Sequence, residues 1–290
     1  MNNLSRPRWR WITRTFFMLL VIGTLTACST KMVYNYLDWI VPWTIDDYIT
    51  LDSEQEAFVD RSLAQVLSWH RQEQLPLYAA DLESLRSALK SELTIDEVVG
   101  FTKKARAHWY QLIEVMFPPL VEFGQSLSDE QARQLVATVR EELDEIKAEH
   151  DEQTLEERQQ EWREGMEEGL EDWLGSLTDG QILRIKEWSE TRTSSFDLWI
   201  AYRYRWVDEL EQTLAKRNQP AQFQQSAEHL LLQLDEIRGG EYLAAIEKNR
   251  RFYAQMIVDI STSMTKQQQT HLDDKLSELI NDLTELHREE

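Results

Sequence analysis

Met264-Thr265-Lys266-Gln267-Gln268, with Leu272, Leu276, Leu279, Ile280, Leu283 and Leu286 after it, reads as the start and the apolar face of one amphipathic helix. A threonine ahead of an apolar-periodic run caps the helix by accepting from the amide three residues on. The glutamine at that third position reaches back to the amide of the cap. The same local grammar recurs at Leu51-Asp52-Ser53-Glu54-Gln55, Leu93-Thr94-Ile95-Asp96-Glu97, Leu127-Ser128-Asp129-Glu130-Gln131 and Leu177-Thr178-Asp179-Gly180-Gln181. Each marks a helix start, and the apolar residue ahead of the cap can staple onto the first turn, Leu93 on Val98 and Leu177 on Ile182. Their irregular intervals exclude a solenoid of fixed period.

Working outward, helices are predicted over 53–90, 95–117, 129–150, 155–174, 179–217 with an interruption near Ser194, 221–237, 241–262 and 266–288. Pro118-Pro119, Gly175, Asn218-Gln219-Pro220 and Gly239-Gly240 supply the stops. Pro76 lies inside the first of these patterns and is expected to kink or break it near Gln72, a kinked helix and a two-helix elbow being equal alternatives. No stretch alternates with period two. The fold class is all-α, an elongated or bundled domain of about eight to nine helices without a sheet.

Composition agrees. In 290 residues there are only 9 Gly and 6 Pro, too few turn formers for a sandwich or barrel, while 42% apolar residues argue against disorder. A net charge of −21 repels phosphate backbones, so nucleic acid is excluded as a partner. A single cysteine excludes an internal disulfide framework and a cysteine-rich zinc site.

The front of the chain carries an address. Arg6, Arg8, Arg10 and Arg14 form a basic region and Phe16–Leu25 a short apolar one, too short to span a bilayer, so residues 1–27 read as a signal peptide. Leu25-Thr26-Ala27-Cys28 resembles the lipobox of bacterial lipoproteins. The resemblance implies that Cys28 is acylated and becomes the new N-terminus, leaving residues 28–290 as one helical domain held on a membrane. Ser29 stands where an Asp would favour retention in the inner membrane, which points by the same resemblance to the periplasmic face of the outer membrane. Removing four arginines and no acid leaves a mature charge of −25. Tyr34, Tyr36, Trp39 and Trp43 follow almost at once, in a first short helix expected to break at Pro42. They are read as core, with the membrane interface as the alternative.

Candidate chemistry is thin. Glu141–Asp172 holds fifteen acids against Lys147, Arg158 and Arg163, scattered at all helical angles as on a solvated face. Within it Gly165 and Gly169 suggest close packing or a loosely held segment. The six histidines match no metal-binding spacing, and no nucleophile elbow, catalytic cysteine or phosphate loop occurs, so no metal, no cofactor and no enzyme is expected. Phe196, Trp199, Arg203 and Trp206 share a helix face, where a guanidinium can stack on indoles. Trp69, His70, Glu73 and Tyr78 gather an indole, an imidazole, a carboxylate and a phenol around Pro76. The first reading of both groups is aromatic core. The sharper one is a single ligand cluster of Trp69, His70, Glu73, Tyr78, Trp199 and Arg203.

Tyr36-Leu37-Asp38-Trp39, Trp43 with Asp46-Asp47-Tyr48, and Trp69-His70-Arg71-Gln72-Glu73-Gln74-Leu75-Pro76-Leu77-Tyr78-Ala79 resemble the start of an uncharacterised family of helical lipoproteins from Gram-negative bacteria. Glu171-Asp172-Trp173-Leu174-Gly175 and the capping segments at Thr178 and Thr265 are similar to it as well. The resemblance implies a lipidated all-helical body and no assigned activity. The Thr-x-x-Gln repeats are also similar to those of small periplasmic chaperones. The expected function is a non-enzymatic outer-membrane lipoprotein that binds an envelope protein or peptide. A periplasmic holdase is the alternative, and an enzyme acting on envelope glycan or lipid stands last.

Overall fold

A computed structural model describes residues 30–289; residues 1–27, read from the sequence as a signal peptide, and Cys28 lie outside the described residues. The first helices are α1 (Thr30–Asn35) and α2 (Leu37–Asp46). Their break falls at Tyr36, and the helix runs on through Pro42, against the sequence expectation. Pro42 is tolerated because α2 lies on the surface with no residue fully buried, so water can serve the carbonyl that loses its donor. Tyr34 is buried as expected, whereas Tyr36, Trp39 and Trp43 are 57%, 66% and 54% exposed, which corrects their reading as core.

Helix α3 (Ser53–Trp69) passes through a π turn (His70–Gln74) directly into α4 (Leu75–Ala88). The Leu75 amide donates to the His70 carbonyl, five residues back. Widening the coil by one residue keeps the Pro76 ring off the carbonyl it would otherwise strike, so the rod bulges where the sequence indicated a kink or an elbow.

Helix α5 (Ile95–Ser126) runs through Pro118-Pro119 instead of ending at 117. Beyond the prolines Val121 and Phe123 pack into the main core and Gly124 is buried. Burial of these side chains offsets part of what the two interior prolines cost the helix. There follow α6 (Asp129–Glu152), α7 (Leu155–Leu174), α8 (Asp179–Thr191), α9 (Phe196–Leu214), α10 (Pro220–Leu232), α11 (Leu234–Arg238), α12 (Gly240–Ser263) and α13 (Lys266–Arg288). The interruption expected near Ser194 is the 192–195 linker, and the run expected over 221–237 divides at Gln233. Helices therefore outnumber the eight or nine expected, and among the described residues there is no strand.

All five capping boxes form, and Thr154 with Glu157 makes a sixth that the sequence reading missed. Four of them do more than cap. Gln55 and Gln131 exchange amide hydrogen bonds of 3.1 and 2.6 Å, tying the start of α3 to that of α6. Gln181 and Gln268 do the same at 3.2 and 2.8 Å, tying α8 to α13. Boxes with Glu in that position, at Glu97 and Glu157, stay on the surface, since a carboxylate has no proton to give back.

Apolar side chains collect in several cores. The largest joins α5, α6, α9 and α10 around Leu143, Val207 and Phe223. A second, around Ile185 and Trp188, joins α7, α8 and α12. A third joins α1, α4 and α13 through Tyr34, Leu75, Leu283 and Leu286. On α7, a Cβ added at Gly165 or Gly169 would meet nothing within 4 Å, so neither glycine serves close packing. Each Gly→Ala change there is expected to stabilise by about 0.5–1 kcal/mol through helix propensity. Thermal unfolding checks it: the double variant should melt a few degrees higher, and an unchanged or lower midpoint would contradict the open surroundings.

Candidate functional site

An open, largely apolar cleft of about 800 Å3 is bordered by α1, the π turn, α4, α5 and α13. Its geometry follows from two helices kept apart. Helices α4 and α5 are consecutive, yet their backbones come close at few points. From α5, Phe101, Ala105, Trp109 and Leu112 face the gap at spacings of four, four and three, one unbroken helical stripe. From α4, Leu75, Leu82 and Leu85 face it, while Val33 of α1 and Leu279 and Leu283 of α13 close the far side. Trp109 is 55% exposed although it lies on an apolar wall.

Polar groups run along the floor in one connected line. The Tyr34 hydroxyl is 2.9 Å from His70 Nδ1, and His70 Nε2 is 3.2 Å from the Tyr78 hydroxyl. The Tyr78 ring meets the His108 ring edge-on at 4.8 Å, and His108 Nε2 lies 2.9 Å from Asp81. Lys104 completes the line by donating to Asp81 at 2.7 Å. Burial drives the His70 pKa down to about 4, so its imidazole is neutral and offers one donor and one acceptor to the two phenols. Burial also pushes Tyr34 up to about 12, against the opposing pull of the Arg71 charge, and raises Tyr78. Burial would raise Asp81, but hydrogen bonds from Lys104 and His108 prevail and hold its carboxyl below the usual range. The π turn is fixed from outside by His287 Nδ1, 2.9 Å from the Arg71 carbonyl.

The six residues singled out in the sequence divide. His70 and Tyr78 line the cleft; Trp69 stacks edge-on against His70 behind it, and Glu73 is exposed and does not line it. Trp199 and Arg203 are not in the cleft at all. Trp199 packs between the main core and a smaller one of Tyr202, Leu230 and Ile237, and the Arg203 guanidinium sits over Trp206 at 5.3 Å. The single cluster is therefore not assembled: helix α9 packs chiefly against α6 and α10, and neither Trp199 nor Arg203 lines the cleft. Sequence reasoning missed Tyr34 as a partner of His70, and it missed Asp81, His108 and the α5 stripe. The spacing of Phe101, Ala105, Trp109 and Leu112 was the available signal, though it reads equally as an ordinary core face.

Among the described residues no group of three or more His, Cys, Asp or Glu is placed to hold a metal ion, and no helix is long and apolar enough to cross a membrane. A family model described as "Family of unknown function (DUF6279)" matches residues 47–243, more than half of the chain. That stretch contains the π turn, α4 and α5, and leaves α1, α2 and α13 outside. No curated protein and no solved structure matches the chain.

Proposed function

The chain belongs to this family of unknown function, a membership that carries no activity, and we propose that it is a non-enzymatic binding module whose cleft receives an apolar helical segment of an envelope protein or peptide. The observation that carries this reading is the cleft itself, two apolar helical stripes that face one another across a gap among the described residues. A third helix fills such a gap by laying its own apolar face into it, and the volume lies within the range of ligand-binding clefts. The titratable groups on the floor are engaged with one another, which supports holding over catalysis. The lipobox-like Leu25–Cys28 segment supports a lipid anchor, and Ser29 an outer-membrane, periplasmic location.

Ala105 gives the test, because it is exposed on the cleft wall and can be enlarged without disturbing the core. A basic amphipathic helical peptide of Leu and Lys, chosen for the chain's charge of −21, should bind and shift the tryptophan emission. Ala105→Lys should weaken that binding about tenfold or more by setting a charge on the apolar wall that the peptide's own lysines repel. Equal binding by the variant removes the cleft from the proposal. An open apolar concavity also favours a second reading, a holdase for unfolded chains. In that case the protein slows aggregation of a denatured client at near-stoichiometric ratio, and Ala105→Lys does not.

A further inference from the structure

Helices α1 and α2 present opposite chemistry on two faces. Inward, Tyr34 and Leu37 pack in the α1–α4–α13 core and Ile45 against the main core. Outward, Met32, Tyr36, Trp39 and Trp43 follow one another at spacings of four, three and four. All four are more than half exposed, and the Trp39 and Trp43 rings stack 6.2 Å apart and nearly parallel. An exposed patch of two indoles, a phenol and a thioether is unusual on a protein surface and marks a contact. Two features of the chain name the occupant. The patch begins four residues after Cys28, so an acylated cysteine would hold it within roughly 15 Å of the lipid along the chain. Its composition is that of interfacial anchors, amphipathic rings that rest at headgroup depth. The partner is also bounded by charge. Asp38 and Asp46 flank the indoles, and Lys31, the one nearby cation on α1, is occupied by Glu285 and Glu289.

We propose that the Met32–Tyr36–Trp39–Trp43 face of α1 and α2 seats in the interface of a zwitterionic phospholipid leaflet, fixing the orientation of the helical body on the membrane. The seat rests on the lipid-anchor reading for its proximity to a bilayer, and on exposure and ring chemistry for its specificity. Leu37 of the same helical pair lines the cleft, so seating the outer face sets the direction in which the cleft opens.

The test takes the protein as made in a Gram-negative host, reconstituted into phosphatidylcholine vesicles whose acyl chains carry bromine. Bromine quenches indoles at interfacial depth. A substantial part of the tryptophan emission should be quenched, and most of that part should vanish in Trp39→Ser/Trp43→Ser. Trp109→Phe, which removes an exposed indole from the cleft wall, should leave it unchanged. Equal bromine quenching in the wild type and in the Trp39→Ser/Trp43→Ser variant overturns the seat. So does a result in which neither brominated lipid nor aqueous acrylamide reaches these indoles, because a protein partner or a second copy then covers them. Mass spectrometry of the Cys28 peptide reads the anchor separately. Lipid on Cys28 without quenching leaves the anchor and ends the seat; quenching without lipid leaves the seat and ends the anchor.

Discussion

Gln181→Glu is expected to destabilise the protein by about 3 kcal/mol at neutral pH, lowering its melting point by roughly 5–10 °C. Gln181 is 2% exposed and uses every part of its amide. Its oxygen accepts from the Thr178 amide at 2.9 Å and from Gln268 at 2.8 Å, while its nitrogen donates to Ser263 and to the Gln268 oxygen, each at 3.2 Å. A glutamate keeps the acceptors and so remains a good capping residue. It loses both donors, leaves the Ser263 hydroxyl and the Gln268 oxygen without that partner, and brings a charge into a buried site. The penalty should ease on acidification, since protonation returns one O–H donor. The control is Glu97→Gln, the reverse exchange in an exposed box, where a change within about 0.5 kcal/mol is expected. Urea unfolding followed by circular dichroism checks both. A Gln181→Glu variant as stable as wild type at pH 7 would show that the amide pair does not fasten α8 to α13.

The second large effect concerns acid. The folded-state pKa of His70 is about 4 against an ordinary value of 6.5, with burial as the cause. Between those values the unfolded chain binds a proton that the folded chain refuses, so stability rises with pH across this window. The contribution is complete above pH 6.5 and is lost as pH falls toward 4. Because solvent still reaches part of the ring, about 2 kcal/mol is expected in place of the full-burial figure of about 3 kcal/mol. His70→Asn does not titrate and retains a donor and an acceptor, so the difference between wild type and variant isolates this term from the other histidines. Unfolding free energies at pH 7, 5.5 and 4.5 should converge toward acid if the assignment is correct. A difference that does not change with pH would mean that His70 is not held neutral between its phenols.

Much of this architecture is legible in the sequence because capping chemistry is local. Thr265 and Gln268 need only three residues of context to declare a helix start, and the leucines that follow declare its buried face. Prolines are less legible, because their cost is weighed against burial that only the packed structure reveals. Pro118-Pro119 lies within α5 since Val121 and Phe123 have a core to reach, and Pro42 within α2 since the freed carbonyl has water. The candidate site was half legible for a similar reason. His70 and Tyr78, eight residues apart on one rod, could be grouped from spacing alone. Joining them to Arg203 required knowing which helices meet, and helical periodicity says which face is buried without saying against what. The glutamine pairs had a readable sign, Gln in place of Glu at the third position of four boxes, whose meaning appears only when two such residues are seen in contact.

The π turn at His70–Gln74 holds one residue more than a regular helical turn would, and each residue of an α-helix turns its successors by about 100°. Deleting one residue from the turn would rotate α4 by that angle relative to α3, carrying Tyr78, Leu82 and Leu85 away from the gap they now face. The wide turn thus sets the rotational phase of α4 on α3, and with it which side chains of α4 line the cleft.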